Sequence, residues 1–435
     1  MIGKIDPKQE KVTVIGAGIS GLLAGYQLKK LGYAVTIHEA SPNVGGLLQT
    51  GTTPLGLYET AAHSLLVNEA GQKHFKELGL ELCTVDSASR SRFILRNGKM
   101  RKMPLTALEF GNLLTQLFRK KKAIHDGATF REWGDHWIGA AATDWLIAPF
   151  VSGIFACDPS ELIAQFAFSD LPNPDQHSLA AFFLAKQKQG PKKQRPKMMT
   201  FQNGMTDWIQ ALQKQLRAEI IVESQQVSIP EHGNVIIATP ASAAAELIRN
   251  ASDQNLSENL ANIPYSPLVT ATVFVHKSAF KNHPPCGVGV LIPRQERSKI
   301  LGILFNSSAF PNRSTSADVV SLTVMLGGTG KPDAIEWPDI KIRHAVTESL
   351  EQILDFEGDP LQVQITRHTR AIPIYGTELK NTLAQLTHFA NQRSGLVFFA
   401  NWTGSVSLRG LLSESQNQFE KCALDHVSIL KDADP

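Results

Sequence analysis

Residues 12–50, VTVIGAGISGLLAGYQLKKLGYAVTIHEASPNVGGLLQT, constrain the fold more than any other stretch of the chain. A short apolar run, Val12 to Ile15, leads into Gly16-x-Gly18-x-x-Gly21. Ile19, Leu22, Leu23 and Tyr26 then recur at helical spacing, and a second apolar run ends on Glu39. Strand, glycine turn, helix, strand and acid in this order make a dinucleotide-binding βαβ unit. Gly16 lets the chain turn tightly. Gly18 carries no side chain to hold a pyrophosphate away from the backbone, and Gly21 lets helix and strand pack closely. The first helical turn, with Ile19 and Ser20, offers amides and a positive dipole end to the phosphates. Glu39 is placed to accept hydrogen bonds from a ribose hydroxyl. A bare Gly-x-Gly-x-x-Gly would be an ordinary glycine-rich turn; here the flanking elements are all present.

Composition narrows the class. At 435 residues, with 43% hydrophobic and 19% charged, the chain is long and apolar enough for about two or three globular domains. A net charge of +3 is too small to imply a nucleic-acid partner. Cys83, Cys157, Cys286 and Cys422 lie far apart, without metal or redox spacing, so buried free thiols in a reducing, cytoplasmic setting are expected. The histidines form no ligand cluster, so no metal is expected. The polar start, MIGKIDPKQEK, does not read as a signal peptide. Trp137 to Phe155 is nearly uncharged, but Asp144 lies near its middle and Pro149 interrupts it. A charge at the centre of a spanning helix costs about 3 kcal/mol, so a buried helix pair is expected instead.

The fold class expected is α/β: a Rossmann-like nucleotide domain, a mixed-sheet substrate domain and a helical insertion. Residues 1–85, 198–262 and 386–435 are assigned to the first, 86–104 and 263–385 to the second, and 105–197 to the third. Arg92 to Pro104 alternates like a hairpin about Asn97-Gly98. Lys186 to Lys197 is basic and broken by glycine and proline, hence an exposed loop. Thr200 to Leu216 reads as a turn into an amphipathic helix, and Val235 to Ala238 as a short buried strand. Strand patterns dominate Pro264 to Pro373, and Leu396 to Ala400 is a last strand before a terminal helix. Gly327-Gly-Thr-Gly-Lys331 imitates a phosphate loop but fails, with Met325 and Pro332 at required positions. Leu105 to Lys122 reads first as a core helix with a basic C-terminal turn favoured by the dipole. A helix lying on anionic lipid is the second reading.

Further motifs carry a family resemblance. The glycine pair Gly45-Gly46, just after Glu39, resembles the extended fingerprint of FAD-binding flavoproteins of the amine oxidase and protoporphyrinogen oxidase superfamily. Ala148–Leu162 (APFVSGIFACDPSEL), Gly287–Pro293 (GVGVLIP), Leu301–Ser314 (LGILFNSSAFPNRS) and Leu322–Gly328 (LTVMLGG) resemble protoporphyrinogen oxidases in the right order. TFQNGM and Arg370–Tyr375 add weaker support. The sequence also departs from the pattern. Ala61 stands where the family has glycine, Asn203-Gly204 stands for Gly-Gly before Met205, and Asn401 replaces a glycine at the last strand end.

The resemblance implies FAD, held by Gly16, Gly18, Ile19, Ser20, Gly21, Glu39, Ala40, Gly45, Gly46, Leu47, His63, Val227, Thr239, Asn401 and Val406. It implies that Arg92 pairs with a substrate propionate, that Val288, Leu291 and Met325 line the substrate slot, and that the Gly153 backbone approaches the pyrrole nitrogens. The reaction implied removes six electrons from a porphyrinogen, protoporphyrinogen IX or coproporphyrinogen III, by hydride transfer to flavin N5. Oxygen or another acceptor then reoxidises the flavin. A peripheral contact on the inner membrane face and a homodimer are the further associations this reading carries. Two rivals stand beside it: a flavin oxidase for amines or carotenoids, and a non-catalytic FAD-binding homologue suggested by the altered glycines.

Overall fold

The computed structural model describes residues 1–6, 8–188, 195–251 and 253–419. Six strands form the first sheet, in the order β1 (Ile2–Gly3), β18 (Leu396–Phe398), β12 (Asn234–Ile237), β2 (Lys11–Ile15), β3 (Ala34–His38) and β11 (Ile220–Ile221). All neighbours are parallel except β1 and β18. Every residue of β12 and β18 is buried, as expected of parallel strands covered on both faces. The chain leaves β2 through Gly16 and enters α1 (Ile19–Lys30), which ends on Lys29 and Lys30, favourable charges for a helix C-terminus.

A hairpin, β4 (Thr50–Thr53) and β5 (Gly56–Glu59), follows the Gly45-Gly46 turn. A three-stranded sheet, β6 (Leu65–Val67), β10 (Lys197–Phe201) and β7 (Leu82–Thr84), lies beyond it. The sequence pattern missed this sheet because its strands are too short for alternation to register.

The seven-stranded sheet is mixed, as anticipated. Its order is β17 (Gln362–Pro373), β13 (Tyr265–His276), β16 (Val319–Gly327), β15 (Ile300–Leu304), β14 (Gly289–Leu291), β8 (Arg92–Arg96) and β9 (Lys99–Arg101). Only β14 and β8 run parallel. One face, through Val269, Ala271 and Val273 with Val290, Ile303 and Val324, packs in one cluster with Ile342, Val346 and Leu350 of the helix Asp339–Leu354. The opposite face carries Thr270, Leu291 and Met325. The β8–β9 turn has Asn97 at φ 53° and Gly98 at φ 67°, the left-handed pair a tight hairpin needs.

Between β9 and β10 the chain is mostly helical. α2 (Glu69–Glu77) precedes this stretch; α3 (Ala107–Phe118) and α4 (Phe130–Trp137) lie in it, each opened by a capping box, Thr106 with Glu109 and Thr129 with Glu132. The core reading of the 105–122 helix does not hold. No residue of α3 is buried, Leu108 is 88% exposed and Phe118 66%. The helix also ends before Arg119, so the basic run lies beyond its last turn. Pro149 does not interrupt its segment either. A wide π turn, Thr143–Ile147, runs straight into the helix Ala148–Phe155, whose first turn accepts the proline. Asp144 is paired with Arg131 at 2.6 Å. No described helix is long and apolar enough to cross a membrane.

The described thiols are free, but only Cys157 is buried; Cys83 is half-buried and Cys286 exposed. Cys422, residues 189–194 and those past 419 lie outside the described residues; the described ends of the stretch Lys186–Lys197, expected as a loop, belong instead to the helix Leu179–Lys188 and to β10.

His74 of α2 is buried among Tyr26, Phe75 and Trp208, and its Nε2 accepts the Trp208 indole N–H at 3.1 Å. Burial lowers this imidazole from 6.5 to about 4. The unfolded chain takes up a proton near 6.5 and the folded chain only near 4. Acid therefore favours unfolding: this contribution is whole above pH 6.5 and is lost as pH falls toward 4. The expected loss over that window is about 3 kcal/mol. Denaturant melts from pH 7 to pH 4 check it, and His74→Gln should flatten the slope.

Candidate functional site

Strands β2, β12 and β18 are parallel, so their C-terminal ends emerge together, the usual place for a ligand in an open α/β sheet. Gly16 follows β2 at φ +100°, and a Cβ there would crowd the Ala238 carbonyl and Thr239. A Cβ on Gly21 would sit 1.8 Å from the Gly16 carbonyl oxygen, so only glycine allows this approach. Gly18 is different: a Cβ there would meet nothing within 4 Å. Gly18 is also the N-cap of α1, and no side chain caps that helix. Ile19 and Ser20 form its first turn.

The second glycine pair closes on this loop. Gly45 N–H donates to the Ala17 carbonyl at 2.8 Å, and a Cβ on Gly46 would lie 3.3 Å from the Gly18 Cα. Glu39 stands at the end of β3, where its carboxylate accepts from Ala17 N–H at 2.7 Å and from Ser41. Ala40 and the exposed Leu47 flank this turn. Thr239 follows β12; its Oγ1 is buried without a partner among the described residues, while its carbonyl accepts the Trp402 indole N–H. Asn401 follows β18 and accepts the Tyr375 hydroxyl on its carbonyl at 2.6 Å. Val406 is half-buried in the same terminal segment. Val227 follows a segment that runs beside the end of β3, where Ser224 N–H donates to the Glu39 carbonyl at 2.8 Å and the Gln226 amide lies 3.1 Å from His38 Nδ1; its own side chain is 66% exposed and its carbonyl is taken by Asn250.

Sequence reasoning missed a buried ion pair. Arg313 donates to Glu59 at 2.6 Å, with both side chains almost wholly buried. The same guanidinium donates to the His63 carbonyl at 3.0 Å and to Thr200. Glu59 also accepts from Thr50 Oγ1 at 2.6 Å and Met205 N–H at 3.0 Å. Burial raises the Glu59 carboxyl above its ordinary value, against the pull of Arg313, Thr50 and Met205. Thr200, Met205 and Arg313 fall in motifs recognised from sequence, but nothing in the spacing says that those motifs meet, or that Glu59 joins them. One departure from the family pattern also finds an explanation here. Gly204 keeps φ +95°, where a Cβ would strike Thr50, while Asn203 is exposed and donates to Asp207.

Strand register collects most of the expected slot residues. Ile94, Leu291, Gly302, Met325 and Thr270 stand opposite one another across five strands. Arg92 is two residues from Ile94, hence on the same face; it is exposed and makes no ion pair among the described residues. A Cβ on Gly153 would lie 2.6 Å from Leu291 Cδ2, so the helix Ala148–Phe155 crosses β14 at this glycine. Val288 precedes β14, and strand alternation groups it with Val290 rather than Leu291. The false phosphate loop has a packing role: a Cβ on Gly328 would strike the Ala156 carbonyl, which accepts Thr329 N–H at 2.9 Å. His368 of β17 places Nε2 2.8 Å from the Thr60 carbonyl, tying this sheet to the segment after β5.

A profile of the family described as flavin containing amine oxidoreductase matches residues 19–407. The chain belongs to that family. Protoporphyrinogen oxidase 2, chloroplastic/mitochondrial, of Arabidopsis thaliana is 28% identical, covering 92% of this chain and 91% of that protein. Coproporphyrinogen III oxidase of Bacillus subtilis (strain 168) is 23% identical, over 87% and 90%. A crystal structure from Exiguobacterium sp. 255-15, described as a candidate protoporphyrinogen oxidase, superposes with TM-score 0.76 at 19% identity, covering 95% of this chain and 99% of that one.

The protein is thus a flavin-dependent oxidoreductase, and its cofactor is FAD. The residues fit that group. Gly18 leaves open space beside an uncapped helix N-terminus, and Thr239, packed against Gly16, holds a buried hydroxyl without a partner among the described residues.

Gly18 and Gly21 should respond differently to substitution. Gly18→Ser, acceptable at a helix N-cap, should leave the apoprotein's melting temperature nearly unchanged but weaken FAD binding more than about tenfold. Gly21→Ala should destabilise the apoprotein itself by about 1–3 kcal/mol. Calorimetry on apoprotein and FAD titration separate the two.

Proposed function

We propose that the protein oxidises a porphyrinogen to the porphyrin, taking protoporphyrinogen IX or coproporphyrinogen III as substrate and oxygen as electron acceptor. The observation that carries this reading is the shared sheet face on which Arg92, Leu291 and Met325 stand, with Gly153 laid against Leu291. Apolar residues there suit a flat macrocycle, and the Gly302 notch between Leu291 and Met325 keeps the surface low. The exposed Arg92, at the start of β8, suits a propionate, held by a charge-assisted bidentate hydrogen bond. Bound FAD supplies the two-electron acceptor. The chain's own part is to bind, orient and shield the macrocycle; alignment of this kind accounts for much of enzymatic acceleration.

The same reading includes a peripheral membrane contact. Leu108, Leu114 and Phe118 of α3 are exposed, with Phe183 and Leu184 of the neighbouring helix Leu179–Lys188. Arg119, Lys120 and Lys122 follow directly. An apolar patch beside basic residues suits anionic lipid.

Each porphyrinogen, mixed anaerobically with the FAD-loaded protein, should bleach the flavin absorbance, and amines should not. Bleaching by amines alone would overturn the proposal. Arg92→Ala should raise KM about 10- to 100-fold with a smaller change in kcat. Leu108→Glu with Phe118→Glu should abolish co-sedimentation with phosphatidylglycerol vesicles and leave turnover of dispersed substrate intact.

A further inference from the structure

The sheet face that carries Leu291 and Met325 is charged at one end only. β9 is the edge strand of the seven-stranded sheet, and it pairs with β8 so that Ile94 stands opposite Arg101 and Arg96 opposite Lys99. Leu95 and its partner Met100 turn the other way, into the cluster with the helix Asp339–Leu354. Arg92, Arg96, Lys99 and Arg101 therefore share the face of Ile94 and Leu291. From β14 across to β17, the residues that pair on this face include no Lys, Arg, Asp or Glu.

These four cations are not alike. Arg96 is committed to the fold. It donates to both Glu109 oxygens, at 2.6 and 2.9 Å, and to the Pro104 carbonyl, and its guanidinium lies 4.2 Å from the centre of the Trp145 ring. Arg96 thus clamps the helical stretch to the sheet edge. Arg92 and Arg101 are exposed and make no ion pair among the described residues. In this register they are diagonal neighbours, about 7–8 Å apart at the backbone. Glu296, beside the β8–β9 turn, accepts from the Asn97 and Gly98 amides instead. Two like charges held side by side repel, and a pair of anions relieves that repulsion. Charge on an edge strand also discourages pairing with another chain. That role calls for charge alone, and Lys99 on the same strand supplies it.

We infer that Arg101 is a second carboxylate-binding residue, working beside Arg92 to hold a macrocycle whose two propionates hang from neighbouring pyrrole rings. The inference rests on the porphyrinogen reading and deepens it. Propionates on neighbouring rings flank one bridge carbon, and their flexible arms span the gap between the two guanidinium groups. One arginine leaves the macrocycle free to turn about the bound carboxylate. Two fix its edge, and with it the bridge carbon that is presented for oxidation.

The test titrates full-length, FAD-loaded protein with a stable porphyrin bearing two propionates on neighbouring rings, and with its monomethyl ester, by fluorescence. In the wild type, esterifying one propionate should weaken binding about tenfold, the loss of one charge-assisted contact. Arg101→Met should weaken the diacid about tenfold and spare the monoester, because Arg92 still takes the remaining carboxylate. Lys99→Met removes the same charge from the same strand and face, and should leave both affinities within about twofold. Arg101 is exposed on an edge strand, so its replacement spares the fold, and the comparison of diacid with ester in the wild type needs no variant. Equal wild-type affinity for diacid and ester would overturn the inference, as would an Arg101→Met protein that binds the diacid like the wild type. A loss confined to co-sedimentation with phosphatidylglycerol vesicles would also overturn it, by assigning Arg101 to a lipid headgroup. The porphyrinogen reading is judged apart: flavin bleaching by a porphyrinogen upholds it even where Arg101 proves idle. A wild type that neither bleaches nor binds the porphyrin ends both.

Discussion

The buried pair of Glu59 and Arg313 joins residues 254 positions apart in the chain. It links the hairpin that follows the second glycine pair to the short helical connection, Asn306–Ala309 and Pro311–Arg313, between β15 and β16 of the seven-stranded sheet. Taking two charges out of water is costly, and a buried pair adds little net stability over a well-packed apolar one. Removing one partner is another matter, because an uncompensated buried charge costs about 3–5 kcal/mol. The pair therefore acts as a lock on relative position. Thr50, Met205, Thr200 and the His63 carbonyl use the remaining hydrogen-bonding capacity of both groups, so distant segments of chain meet at one point.

Around that lock, glycine is used for two physically distinct ends. Gly21 and Gly328 let backbones approach where any side chain would collide with a carbonyl oxygen. A Cβ on Gly18 would meet nothing within 4 Å, and the glycine's value is the space it leaves in front of the helix terminus. The first kind belongs to the fold and the second to the ligand. A motif that counts glycines cannot separate them; distances can.

Much of the cofactor half was legible because its signals are local. Strand, Gly16 to Gly21, helix and Glu39 lie within a few dozen residues, and each has a short-range reason for its place. The mixed sheet was legible in outline, since apolar runs such as LVTATVFV announce strands, and Asn97-Gly98 announces a turn. The helix at 107–118 misled. Amphipathic spacing says that one face is apolar, but not whether protein covers it, and here Leu108 and Phe118 remain exposed. Short strands such as β6 and β7 left no pattern to read, and the placement of Val288 depends on a register that spacing alone does not fix.

The sequence by itself determined the nucleotide-binding unit and the residue types available along the strands, and its motifs pointed to FAD through a family resemblance. The first two follow from local sterics, helix dipoles and side-chain chemistry. Only the tertiary structure decided which motifs touch. It set Leu291, Gly302 and Met325 in one row through strand register. It brought Glu59 to Arg313, with the His63 carbonyl on the same guanidinium. Pairing across hundreds of residues is chosen by the packing of whole sheets, and no local rule encodes it.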